Sequence, residues 1–147
     1  LSRVPHHIGE REVECVQKVL GWSKVETKIE IVENSPGPGN IVTLAVRHEN
    51  ITELATGFGE KGRQAERVVG DAIASIKRYL DSDAPVGEHL ADQLVIPFAL
   101  AGAGVYRTLA PSKHLLTNID VVRSFLPTRI AVLDEPGRDT KRIVFGG

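Results

Sequence analysis

The stretch GEHLADQLVIPFALA, residues 87–101, decides how the second half of the chain is read. Its apolar residues run almost without a break, which fits a helix buried on several sides better than one lying on a surface. Polar residues interrupt it only near the start. His89, Asp92 and Gln93 stand three and four residues apart, so a helix projects them from one face. Outward to the C-terminus, a strand is expected near 105–109, a helix near 114–125, and strands near 128–134 and 141–145. The second half thus reads α-β-α-β-β.

Outward to the N-terminus, the segment Asp81-Ser82-Asp83-Ala84-Pro85 reads as a linker. Before it, residues 63–80 carry Ala65, Val68, Val69, Ala72, Ile73, Ile76 and Leu80 on one helical stripe. Residues 8–20 show a weaker stripe, Val13, Val16, Val19 and Leu20, stopped by Gly21. Between these helices three strands are expected. Residues 25–33 alternate, with Val25, Thr27, Ile29 and Ile31 against Glu26, Lys28 and Glu30. A second strand holds Val42, Leu44 and Val46, and a short third spans about 51–55. Ser35-Pro36-Gly37-Pro38-Gly39-Asn40 and His48-Glu49-Asn50 are the turns. Leu1-Ser2-Arg3-Val4-Pro5 reads as the end of a further strand. The fold class is mixed α/β (α+β), with a small four-strand, two-helix domain first.

Composition sets the outer bounds. The 147 residues are 41% hydrophobic and 25% charged, in the range of a globular domain. No apolar run approaches the roughly 20 residues of a membrane helix. One cysteine, Cys15, allows no internal disulfide and makes a reducing cytoplasm the default compartment. A formal net charge of −1 gives no support to a phosphate-neutralising nucleic-acid surface. The chain starts at Leu1 and contains no methionine, which suggests a piece of a longer protein.

Several groupings could carry chemistry. Gly57-Phe58-Gly59-Glu60-Lys61-Gly62 matches G-x-G-x-x-G, but no parallel βαβ unit surrounds it. It reads as a strand-to-helix turn rather than a dinucleotide-binding module. His89, Asp92 and Gln93 could hydrogen-bond a base, a ribose or an imidazole, and could equally form a polar contact without chemistry. His114 follows Pro111, Ser112 and Lys113, placing it at or just before a helix N-terminus. Backbone N–H groups there favour an anion, and a neutral imidazole beside a bound phosphate can act as nucleophile or base. On local chemistry alone an exposed loop histidine is the commoner explanation. His6-His7 makes a poor metal site, because neighbouring side chains diverge.

Two segments resemble the RNA 3′-terminal phosphate cyclases. One is Gly87-Glu88-His89-Leu90-Ala91-Asp92-Gln93-Leu94 with Pro97-Phe98-Ala99-Leu100-Ala101-Gly102. The other is His114-Leu115-Leu116-Thr117-Asn118-Ile119, continuing to Arg123-Ser124-Phe125-Leu126-Pro127. The loops at 35–40 and 57–62 are similar to the family's as well. The resemblance implies that residues 1–84 are most of an insert domain. Residues 85–147 would be one incomplete βαβαββ repeat of the cyclase/enolpyruvyl-transferase-like fold.

The resemblance also implies a cytoplasmic, ATP-dependent RNA-modifying activity. A histidine attacks the α-phosphorus of ATP, AMP passes to an RNA 3′-phosphate, and the 2′-hydroxyl closes a 2′,3′-cyclic phosphate. His114 matches the nucleophile, and Asp92 would orient its imidazole. His89, Asp92 and Gln93 match the helix beside the adenylate, although many members carry tyrosine at the position of His89. Mg2+ or another divalent metal would screen the triphosphate; no residue of this chain is assigned as its ligand. The remaining ATP-site residues would belong to an N-terminal half, supplied covalently or as a separate chain, without which the fragment would be inactive. The alternative is a non-catalytic cyclase-like protein acting in ribosome assembly.

Overall fold

The structure, a computed structural model, describes every residue except Lys24, Val25 and Gly147. Among the described residues, four α-helices and two small antiparallel sheets divide between two compact units. The first comprises Leu1–Val46 and Leu54–Arg78, the second Arg47–Glu53 and Tyr79–Gly147.

In the first unit, α1 (His6–Leu20) ends where Gly21 takes the left-handed conformation and returns its N–H to the Gln17 carbonyl. Strands β1 (Ile41–Arg47) and β2 (Thr52–Phe58) pair as a hairpin whose tip groups with the second unit. Helix α2 (Ala65–Leu80) follows. Val69, Ala72, Ile73 and Ile76 of α2 form a core with Val16 of α1 and with Leu44 and Ala55 of the hairpin. The α2 stripe read from the sequence is buried except for Leu80, whereas of the α1 stripe Val16 is buried, Val13 and Leu20 are half-buried and Val19 is exposed. Arg11 of α1 and Glu66 of α2 form a forked ion pair at 2.7–3.0 Å.

The strand count of this unit departs from expectation. Among the described residues it has two strands, not four. Residues 27–33 form no strand. Leu1 bonds their backbone at two points, its N-terminal amine donating to Glu30 and its carbonyl accepting from Val32. Alternation makes a segment amphipathic, but a ladder also needs a partner of matching length. Val25, the first residue of the expected strand, lies outside the described residues. The N-terminal strand end is reduced to one bridge, Ser2 with Gly39.

The second unit follows the expected α-β-α-β-β order: α3 (Glu88–Ala101), β3 (Gly104–Thr108), α4 (Lys113–Phe125), β4 (Ile130–Asp134) and β5 (Lys141–Phe145). The sheet order is β3-β5-β4, with Tyr106 opposite Ile143 and Val132 opposite Ile143 on the other side. Tyr106, Ile143, Phe145 and Ile130 turn inward and pack with Ala91, Val95 and Ala99 of α3 and with Leu115, Ile119 and Val122 of α4. The sheet thus carries both helices and fixes where their N-termini lie. Pro97 sits inside α3 and supplies no N–H to the carbonyl of Gln93.

Candidate functional site

The residues singled out in the second half gather at the first turns of α3 and α4. Gly87, the N-cap of α3, has no side chain to satisfy the exposed amides of that end. A distant residue supplies the acceptor: Glu53 of β2 accepts the Gly87 N–H at 3.1 Å. A Cβ at residue 87 would lie 2.2 Å from the Glu53 carboxylate, so this close approach requires glycine. Glu53 is only 5% exposed. Burial pushes its carboxyl above the ordinary glutamate value, opposed by the Gly87 N–H bond and by the charge of His89.

One turn into α3, His89 and Gln93 are exposed while Asp92 is half-buried. Asp92 turns toward α4, where Asn118 donates to its backbone carbonyl at 3.0 Å and to its Oδ1 at 2.9 Å. From the sheet side, the Tyr106 hydroxyl donates to the Ala91 carbonyl at 2.7 Å. Burial and the nearby Asp92 charge hold that phenol protonated far above the usual tyrosine range. Asp92 is therefore set between an anchored ring below and an amide from the neighbouring helix.

His114 is the second residue of α4 and is exposed. Ser112 is the N-cap, its hydroxyl accepting from the Leu115 N–H at 3.1 Å. That bond leaves the earlier amides of the turn free of an intrahelical acceptor, and the exposed Lys113 adds positive charge beside them. Helical spacing puts Asn118 on the face of His114, one turn on. The structure thus links Asp92 to the His114 face of α4 through Asn118.

Sequence reading missed Glu53 and Asn118. For Glu53 a signal existed: in β2 the buried residues are Glu53, Ala55 and Gly57, so a carboxylate occupies an inward position of an alternating strand. For Asn118 the signal was its four-residue spacing from His114.

The other groupings take structural roles. A Cβ on Gly57 would fall 2.1 Å from the Val68 carbonyl, and one on Gly59 would fall 2.7 Å from the Asn40 side chain. The glycine loop therefore packs β2 closely against its surroundings, as a strand-to-helix turn does. His6 lies 3.7 Å from Glu10 on the exposed side of α1, and His48 meets Tyr79 edge-on. Among the described residues, no group of three or more His, Cys, Asp or Glu side chains could hold a metal ion. None of their helices is long and apolar enough to cross a membrane.

Comparison with known proteins adds the family context. The sequence model described as "RNA 3′-terminal phosphate cyclase (RTC), insert domain" matches residues 1–81. An RNA 3′-terminal phosphate cyclase of Salmonella agona is 47% identical over 127 residues, covering 86% of this chain and 36% of the relative. One from Salmonella typhimurium is 46% identical over 131 residues, covering 89% of this chain and 38% of the relative. The chain thus spans a little over a third of the length of these curated relatives.

Proposed function

Because the chain belongs to the RNA 3′-terminal phosphate cyclase family, we propose that it is the portion of an ATP-dependent cyclase that carries the histidine nucleophile. Residues 1–84 would then be most of the insert domain, and residues 85–147 the C-terminal repeat of the catalytic domain. The observation that carries the reading is the position of His114: exposed, in the first turn of a capped helix, beside Lys113 and within one turn of the amide that holds Asp92.

In the proposed reaction a nitrogen of His114 attacks the α-phosphorus of ATP. The bond to the bridging oxygen breaks, pyrophosphate leaves, and AMP stays on the imidazole. Free amides at the start of α4, with Lys113, would offset charge on the phosphoryl oxygens. Asp92 would orient the imidazole and balance its positive charge. AMP then passes to an RNA 3′-phosphate, and attack by the adjacent 2′-hydroxyl closes the 2′,3′-cyclic phosphate and expels AMP. Exposed on one side of α3, His89 and Gln93 are suited to the nucleotide, the ring of His89 by stacking on adenine and Gln93 by hydrogen bonding. A divalent metal such as magnesium would screen the triphosphate, although the described residues offer no cluster to hold it.

The proposal includes a partner region and a cytoplasmic location. Ile96 and Leu100 of α3 and Val121 and Phe125 of α4 are large apolar side chains, each at least half exposed. We assign their cover to a region equivalent to the rest of the relatives' length, joined covalently or held as a separate chain, and full activity to the assembled form.

The test is a chimera in which this chain replaces the matched segment of the Salmonella typhimurium relative, incubated with ATP labelled at the α-phosphate. A protein–AMP adduct, labile in acid and stable in base, is expected, and His114→Ala should abolish it without changing the far-ultraviolet circular dichroism. A folded chimera that takes no label would favour a non-catalytic cyclase-like role.

A further inference from the structure

We infer that Asn118 is a positioning residue for the adenylylation step, holding the Asp92 carboxylate in register with His114. The inference rests on the cyclase reading above and extends it to a residue outside the motif positions assigned to nucleotide or nucleophile.

The bonding pattern of Asn118 is unusual for a helix-surface amide. Both of its bonds go to one residue, and both acceptors lack protons to give: the main-chain carbonyl of Asp92 at 3.0 Å and its Oδ1 at 2.9 Å. The amide orientation is therefore fixed, since turning the carbonyl oxygen toward either acceptor would set oxygen against oxygen. Bonding the backbone and the side chain together fixes two things at once. The backbone contact ties the first turn of α3 to α4, whose register the core side chains also hold, and the Oδ1 contact selects one rotamer of the carboxylate. A bond to an ionised acceptor is among the stronger hydrogen bonds.

The lever arm is short. Asn118 follows His114 by four residues, so their Cβ atoms are about 6 Å apart on one helix face. Asn118 occupies Oδ1, so the proposed contact with the imidazole would use Oδ2. Without Asn118 the carboxylate regains its other rotamers. Displacements of about 1 Å at a reacting centre can cost on the order of 100-fold in rate. Packing around the site does not depend on Asn118, because the helices also meet through Ala91, Val95, Leu115 and Ile119 in the core. The expected lesion is therefore in rate rather than in fold.

The test uses the same chimera in single-turnover adenylylation with α-labelled ATP. Asn118→Ala is expected to slow adduct formation roughly 10- to 100-fold while the half-saturating ATP concentration moves less than about threefold. Asn118→Gln should recover little, since its longer arm cannot bond both Asp92 atoms. The decisive comparison is the double variant. If Asn118 acts through Asp92, then Asp92→Ala with Asn118→Ala is no slower than Asp92→Ala alone. An unchanged rate in folded Asn118→Ala, or losses that multiply in the double variant, overturns the inference and leaves the cyclase reading standing. A folded parent chimera that takes no label, or label that persists in His114→Ala, overturns the cyclase reading and this inference with it.

Discussion

The buried carboxylate of Glu53 gives a stability prediction whose sign runs against intuition. Glu53→Gln keeps an oxygen in place for the Gly87 N–H but removes the charge, whereas Glu53→Ala removes both. In Glu53→Ala the buried Gly87 N–H loses its acceptor, which costs about 1–3 kcal/mol. Urea unfolding of the chain should show that loss at pH 7. Burial raises the Glu53 carboxyl in the folded protein, so between the ordinary value of 4.5 and the raised one the folded state binds more protons than the unfolded state. Stability arising from Glu53 is therefore highest below that window and falls as pH rises through it. Glu53→Gln has no such dependence. The wild type minus Glu53→Gln stability difference should decline from pH 4 to pH 8, and the glutamine variant should be at least as stable as wild type at pH 7. A difference that grows with pH, or a Glu53→Ala variant within about 0.5 kcal/mol of wild type, would refute the assignment of Glu53 as a desolvated cap of α3.

Two further outcomes follow from the same geometry. Ser112→Ala removes the cap bond to Leu115 and should destabilise the chain by about 1 kcal/mol, read by urea unfolding. Gly57→Ala would place a methyl 2.1 Å from the Val68 carbonyl. It should cost about 1–3 kcal/mol by overpacking, and in the same assay Gly37→Ala, with open space around it, should cost far less.

The order of elements in the second unit was legible because its signals are local. Val95 and Ala99 on α3 and Leu115, Ile119 and Val122 on α4 recur at helical spacing, and both β4 and β5 carry a short apolar run. Over its described residues, 26–33, the strand expected at 25–33 is absent for the complementary reason. Alternation says which faces a segment would show, but a ladder depends on a partner elsewhere, and Leu1 supplies only two backbone bonds. The candidate site divides in the same way. The helical positions of His89, Asp92, Gln93 and His114 could be read from spacing. Their connections could not: Glu53 reaches Gly87 across 34 residues and Asn118 reaches Asp92 across 26. Asp92 also shows why spacing alone gives an incomplete chemistry, since the partner its carboxylate has in the structure is Asn118.

The most direct test of the central claim is to locate the nucleotide on the protein. The chimera is incubated with ATP, digested under alkaline conditions that preserve a phosphoramidate, and its AMP-bearing peptide is sequenced by mass spectrometry. AMP is expected on His114. AMP on the adjacent Lys113, or on any residue outside the first turn of α4, would contradict it.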